Sequence, residues 1–235
     1  MTVTEEITQL QNERSKIVKI MNGLSSTEDK TALADNLYII DRRLAYYDRQ
    51  AKKILQESNI GKRWETRTFA TFDTKHNKTA YQKAKKYAED FIKNSEKGLI
   101  FFGKCGSGKT HLAVAIANYV ITEHKIPVKF GTFGSILEQL KKSFQTDEDI
   151  VSQLVNTPLL IIDDIGKERK SEWSDSVLFE IINGRYEKNN PIIVTTNMDV
   201  QTLRANIGDA IFSRLCEMCA WIKMADFDYR TGGKI

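Results

Sequence analysis

Gly103-Lys104-Cys105-Gly106-Ser107-Gly108-Lys109-Thr110 is the stretch whose reading decides the fold. It satisfies GxxxxGK[ST] in full, between an apolar run that reads as a strand (Leu99 to Gly103) and a run that reads as a helix (Thr110 to His124). Glycines let the backbone curl so that successive N–H groups point at phosphate oxygens, and the helix N-terminus adds its partial positive charge. Lys109 is expected to reach the β- and γ-phosphates of a nucleotide, and the Thr110 hydroxyl to hold Mg²⁺. The expected nucleotide contacts run from Gly103 through Lys104, Cys105, Gly106, Ser107, Gly108, Lys109 and Thr110 to His111.

Downstream, strands and helices alternate. Pro127 to Phe130 reads as a strand, Ser135 to Phe144 and Asp147 to Val155 as two short helices, and Leu159 to Asp163 as a buried strand. Ser174 to Glu187 reads as a helix, Ile192 to Thr196 as a strand, Ala205 to Cys219 as a helix and Trp221 to Ala225 as a final strand. Strands separated by helices imply an α/β fold, a parallel sheet covered by helices on both faces.

In such a sheet, residues at the carboxyl ends of strands face the ligand crevice. Leu159-Leu160-Ile161-Ile162 ends in Asp163-Asp164. Asp163 is placed to hold the Mg²⁺, directly or through water, and Asp164 to polarise the water that attacks the γ-phosphate. Ile192-Ile193-Val194 ends in Thr195-Thr196-Asn197, where an Asn side chain can bond the attacking water or the γ-phosphate. A small-molecule kinase also carries a P-loop, but the Asp-Asp pair and Asn197 suit water activation, and no arginine-rich lid is evident. The intact Lys109, Thr110, Asp163 and Asp164 argue against a non-catalytic interaction protein.

P-loop, Asp-Asp strand and Asn-ended strand, in this order, resemble the Walker A, Walker B and sensor 1 elements of the AAA+ superfamily. Further stretches resemble one branch of it, the DnaC/DnaI-type replicative helicase loaders, including phage-encoded ones, and the related IstB transposition ATPases. These are Gly61-Lys62-Arg63-Trp64 with Thr68-Phe69, Asp163-Asp164-Ile165-Gly166, and Ile181-Ile182-Asn183 with Arg185-Tyr186 before Pro191. Gly208-Asp209, Ser213-Arg214-Leu215 and Tyr229-Arg230 complete the set, which spans about Ile60 to Arg230. The resemblance implies that Arg214 is an arginine finger reaching the ATP of a neighbouring subunit, and that Arg230 is a sensor 2 arginine contacting the nucleotide. It implies that the helices between Phe133 and Val155 shape a spiral oligomer and line a single-strand channel. The chain departs from the pattern at Ala210, where loaders often carry arginine, and it lacks the zinc-binding cysteines of DnaI-type N-terminal parts. The function implied is an ATPase, slow and switch-like, that binds a DnaB-type replicative helicase and single-stranded DNA. The alternative is an IstB-like helper acting on duplex DNA with a transposase.

Residues 1–57 read differently. Ile7, Leu10, Ile17, Met21 and Leu24 fall at helical spacing, interrupted by Arg14; after a polar turn, Leu33, Leu37, Ile40, Leu44, Tyr47, Ala51 and Ile54 alternate steps of four and three. This predicts an antiparallel helical hairpin, its second helix capped by Ser25 or Ser26 with Glu28 or Asp29. With no third layer of its own, the hairpin is either a structural element packed on the main domain or a docking module for another protein or a second copy. Docking is the favoured reading. Residues 58–76 read as a linker, and 77–235 as the ATPase core, opening with a basic helix from Asn77 to Asn94 that carries Ala80, Ala84, Ala88 and Phe91 on one face.

The bulk numbers fit this organisation. The 235 residues are 41% hydrophobic and 28% charged, with no apolar run near the roughly 20 residues that cross a bilayer. No signal-peptide pattern opens the chain, so a cytoplasmic protein is expected, with no membrane partner. Three cysteines are too few for a disulfide scaffold, and Cys216 and Cys219 read as small helix residues rather than half a metal site. A net charge of +4 permits nucleic-acid contact without demanding it. Lys141 and Lys142, the strip Lys83, Lys85 and Lys86, and Phe130 or Phe133 are the candidates for that contact.

Overall fold

The computed structural model describes residues 2–24, 27–93, 97–143, 149–168 and 171–232. Five parallel strands, β1 (Gly98–Phe102), β2 (Val128–Thr132), β3 (Leu159–Asp163), β4 (Ile192–Thr196) and β5 (Cys219–Lys223), lie in the order β2-β3-β4-β1-β5. Alternate side chains point to opposite faces, so β1, β3 and β4 each feed two cores. Leu99, Phe101, Ile161 and Ile193 pack against α4 (Lys78–Glu89) and α5 (Lys109–His124). Ile100, Leu160, Ile162 and Val194 meet α6 (Phe133–Ser143), α7 (Ile150–Asn156), α8 (Glu172–Glu187), α9 (Val200–Ile207) and α10 (Asp209–Met218). Helices on both faces explain why the inner strands β1, β3 and β4 read as unbroken apolar runs.

Several boundaries differ from the sequence expectation. The helix expected over Ala205 to Cys219 is two helices, broken at Gly208, whose φ of 82° and ψ of 157° are open to glycine. The last strand begins two residues earlier than expected, at Cys219, directly from the C-cap of α10. Cys219 is therefore a buried strand residue, and burial raises its thiol pKa. In the basic helix, Ala80, Ala84 and Ala88 are buried as expected, but the helix stops at Glu89 and Phe91 is buried in the turn beyond it. Phe144, Asp147 and Asn94 fall outside the described residues.

The hairpin is present as α1 (Val3–Gly23) and α2 (Thr27–Glu57), the second about 46 Å long at 1.5 Å per residue. Its heptad stripe faces inward: Ile40 and Ala51 are buried and the other members half-buried. Arg14, the break in the first stripe, pairs with Asp41 at 2.6 Å, and Arg43 pairs with Glu6. Exposed pairs of this kind each contribute about 0–1 kcal/mol and mainly set register. The Ser25 and Ser26 capping positions lie outside the described residues. The first helix has a cap that the sequence reading missed, a Thr2–Glu5 capping box.

The hairpin's base is tied to the core. The Thr4 hydroxyl lies 2.8 Å from His124 Nδ1, and Lys129 Nζ donates to Glu57 O at 2.7 Å. The Phe130 N–H donates to Ser58 O at 2.8 Å, capping the open edge of β2. Residues 58–76 run over the core, with a short helix α3 (Lys62–Glu65) and with Ile60 and Phe72 buried in the α4–α5 cluster. Phe130 and Phe133 are buried at 8% and 4% exposure, which removes both as surface platforms for a base.

A buried arginine holds the far side of the sheet. Arg185 on α8 is fully buried, and its guanidinium donates to the carbonyls of Leu154 (2.6 Å), Val155 (3.1 Å), Thr157 (2.9 Å) and Pro191. It thus clamps the approach to β3 and the approach to β4 together. Replacing it by Met takes this donor from all four carbonyls in a dry interior, with Val155 O keeping a second one from Asn190 Nδ2 at 2.8 Å, so Arg185→Met is expected to cost about 3–5 kcal/mol of stability in urea unfolding. A cost below about 1 kcal/mol contradicts the clamp.

Candidate active site

The strand order brings the carboxyl ends of β1, β4 and β3 side by side, so three segments distant in sequence converge on one crevice. The cleft there, about 1130 Å³ including its open mouth, is lined by Lys109, Thr110, His111, Asp163, Asp164, Asn197 and Arg230 among others. All but one of the expected site residues outside the loop's own backbone meet in it. The exception is Arg214.

The loop between β1 and α5 needs its glycines. Gly106 has φ 75°, and a Cβ there would stand 1.9 Å from Asp228 Oδ1. Gly108 has φ 94°, and a Cβ there would stand 2.8 Å from Phe72. Lys109 is 5% exposed, and its ammonium donates to the carbonyls of Gly103 and Lys104, both at 2.7 Å. Burial lowers its pKa, while Cys105 and the two aspartates oppose that shift. An anion in the loop therefore offers this cation a better partner than two carbonyls.

Thr110 Oγ1 donates to Asp163 Oδ1 at 2.8 Å, and Thr195 Oγ1 donates to the same oxygen at 2.6 Å. Burial raises the Asp163 pKa, against the pull of these two hydrogen bonds. A buried carboxylate beside a hydroxyl, both hard oxygen donors, fits the ligand preference of Mg²⁺. Asp164 adopts φ 60°, held by its N–H on Thr195 Oγ1 at 2.9 Å. Its carboxylate accepts from Asn197 Nδ2 at 2.5 Å and from Lys167 Nζ at 2.5 Å. Thr195 thus aligns both aspartates, and the sequence reading, which singled out Asn197 in that tripeptide, passed over it.

The walls come from outside the loop. His111 Nε2 lies 2.9 Å from Thr68 O, so this ring ties residues 66–72 to α5; burial lowers its pKa. The C-terminal segment folds back over the loop: Tyr229 N–H donates to Gly106 O at 3.1 Å, and Arg230 Nη1 lies 3.6 Å from Cys105 Sγ. Buried Asn77 joins the two, donating to Ser107 O at 3.2 Å and accepting from Ala225 N–H at 2.7 Å. Charge in the lining is lopsided, with the cations Arg63, Arg67, Lys109, Lys167 and Arg230 against the carboxylates Asp163 and Asp164. A surplus of positive charge around a phosphate loop suits a polyanion.

Arg214 sits on α10, away from this cleft. Its Nε donates to Asn183 Oδ1 at 2.8 Å, and its guanidinium lies over the rings of Phe179 (5.1 Å) and Tyr186 (5.6 Å). Half-buried against α8, it is held in one pose but reaches no group of its own chain's nucleotide site.

The family described as IstB-like ATP binding protein matches residues 11–234. The chain belongs to this family. ATP binding by an AAA+ fold follows from that membership and from the loop, the carboxylate pair and the five-stranded order already described. Among relatives of this IstB-like chain, the phage-like element PBSX protein XkdC of Bacillus subtilis is 29% identical over 185 residues, covering 74% of this chain and 69% of that protein. The replicative helicase loader DnaC of Buchnera aphidicola subsp. Baizongia pistaciae is 30% identical over 171 residues, covering 70% of this chain and 69% of that protein. A crystal structure of the DnaC helicase loader superposes with a TM-score of 0.65 at 26% identity, covering 70% of this chain and all of that one. Among the described residues, no helix is long and apolar enough to cross a membrane.

Proposed function

We propose that this chain is a cytoplasmic, ATP-switched loader that binds a DnaB-type replicative helicase and helps place it on single-stranded DNA. The observation that carries the reading is the convergence of Lys109, Thr110, Asp163, Asp164 and Asn197 in one cationic cleft. The likeness to proteins named replicative helicase loaders supports the choice of partner. In this reading Lys109 leaves its loop carbonyls for the β- and γ-phosphates. Thr110 and Asp163 hold Mg²⁺, which offsets negative charge on the phosphate oxygens. Asp164, steadied by Asn197, takes the proton of the attacking water. Arg214 serves the cleft of a neighbouring copy, so that hydrolysis requires an ATP-dependent homo-oligomer.

Residues 1–57 are the helicase-docking module, residues 58–76 the connection, and residues 77–235 the ATPase core. On α2, Tyr38 (63% exposed), Ile39 (56%) and Tyr46 (51%) lie within about 100° of the helix circumference and outside the inward stripe, Ile39 at the edge that borders the groove with Leu10 and Ile17 of α1. Ile39→Glu combined with Tyr46→Glu is expected to leave ATP affinity unchanged and stability within about 0.5 kcal/mol, as for surface changes. The same change should remove co-elution with the helicase. Co-elution equal to that of the unaltered chain places docking elsewhere. The family's IstB-like character keeps a second reading, a transposition helper on duplex DNA; capture of a transposase instead of the helicase favours it.

A further inference from the structure

The turn after β3 carries a lysine that neither the nucleotide loop nor the family motifs account for. Lys167 lines the cleft, is about half exposed (53%), and forms a 2.5 Å ion pair with Asp164. The backbone on both sides of it is fixed. Ile165 is buried, its N–H donates to Thr195 O at 2.9 Å, and its carbonyl accepts from the Thr196 hydroxyl at 3.0 Å. On the other side, the Glu168 carboxylate accepts from Gly166 N–H (3.2 Å) and Gly134 N–H (3.0 Å). Gly166 (φ 95°) packs where a Cβ would stand 2.8 Å from Met198 Sδ. A rigid turn therefore presents a flexible cationic tip over the carboxylate assigned to water activation.

The pair has a chemical consequence. With Asn197 on one oxygen and Lys167 on the other, both oxygens of Asp164 are engaged. Each oxygen keeps a second lone pair for water, but water then meets the carboxylate beside a cation that competes for it. A terminal phosphate entering beside it carries more charge than a carboxylate and attracts the ammonium more strongly.

We infer that Lys167 is a ligand for the terminal phosphate of the bound nucleotide, parked on Asp164 until that phosphate arrives. This rests on the reading of the cleft as a hydrolytic ATP site. Transfer of Lys167 to the γ-phosphate removes that competing cation from Asp164 and leaves the carboxylate to water. The water oxygen then bonds to the γ-phosphorus, the bond to the bridging oxygen breaks with its electron pair on the diphosphate, and Asp164 receives the water's proton. Lys167 keeps its protons throughout. When the free phosphate leaves, the lysine returns to Asp164. Lys167 thus discriminates triphosphate from diphosphate, a task for which Lys109, shared between β- and γ-phosphates, is less suited.

The test compares the full chain with Lys167→Met and Lys167→Arg, titrated with ADP and with the non-hydrolysable analogue AMPPNP in the presence of Mg²⁺. Lys167→Met is expected to bind ADP within about twofold of the unaltered chain and AMPPNP about tenfold more weakly, the worth of one charge-assisted hydrogen bond. Lys167→Arg should recover most of the lost AMPPNP affinity. An ordinary exposed ion pair predicts no change in the AMPPNP-to-ADP ratio, and an unchanged ratio in Lys167→Met overturns the inference. If the unaltered chain binds neither nucleotide, the reading of the cleft falls and this inference with it. If it binds both and only the ratio fails to move, the cleft stands and Lys167 is a surface ion pair.

Discussion

Arg214→Ala should bind ATP almost as well as the unaltered chain and lose hydrolysis by about 10³-fold or more, the range in which an arginine finger acts. The separation of the two effects follows from geometry. Arg214 does not line its own cleft, being held by Asn183 Oδ1 and over Phe179 and Tyr186, so its loss leaves the local phosphate contacts untouched. In the proposed role it would reach a neighbour's γ-phosphate and neutralise charge that spreads over the phosphate oxygens as the bond breaks, with a planar fork that lysine lacks. ATP-dependent assembly should weaken along with hydrolysis. Mixing Arg214→Ala with Lys109→Ala makes the prediction sharper. Each lacks a different half of a composite site, so interfaces pairing the intact halves recover part of the activity. Wild-type hydrolysis by Arg214→Ala alone, with no recovery at any ratio of the mixture, would make Arg214 a packing residue of α8 and α10.

Lys109→Ala has the second large effect, on binding itself. The side chain is buried in the loop and donates to two carbonyls and the Ser107 hydroxyl there, so its charge has no structural counter-ion in direct contact. Burial already lowers its pKa, which means that the fold tolerates the charge rather than requiring it. Removal should therefore leave thermal stability near that of the unaltered chain and weaken ATP binding by about 100-fold or more, the value of two charge-assisted phosphate contacts. Asp164→Asn is the contrasting case, with ATP binding retained and hydrolysis reduced by about 10²–10⁴-fold, as expected for loss of a general base. Equilibrium titration and single-turnover hydrolysis of the two variants separate these outcomes. Unchanged ATP affinity in Lys109→Ala contradicts the site.

The parts of this site that were legible in sequence are those whose chemistry is local. The loop needs glycines, a lysine and a hydroxyl at fixed spacing, and Asp163, Asp164 and Asn197 each end an apolar strand. A parallel sheet then delivers such strand ends to one crevice without further information. Thr195, Lys167 and Asn77 were not legible, because each acts through a partner that only the fold supplies. Thr195 faces the aspartates from the neighbouring strand, and Asn77 bridges the loop to a segment 148 residues away. Arg185 stood out in sequence only as part of a family motif, and its clamp on the carbonyls before β3 and β4 became visible with packing. The break at Gly208 was misread because apolar periodicity continues across it, from Leu203 and Ile207 to Ile211 and Leu215. The hairpin was legible for the same reason in reverse: an unbroken heptad stripe specifies its partner helix, while the apolar outer face formed by Tyr38, Ile39 and Tyr46 follows no such stripe.

The central claim, an ATP-switched adaptor for a replicative helicase, is most directly tested by weighing the complex. The full chain is mixed with the DnaB-type helicase of its host, with and without ATP and Mg²⁺, and the mass is measured in solution. The account predicts a complex of helicase hexamer with several copies of this chain, whose stoichiometry or stability changes when ATP is present. A chain that binds ATP yet adds no mass to the helicase under either condition would contradict it.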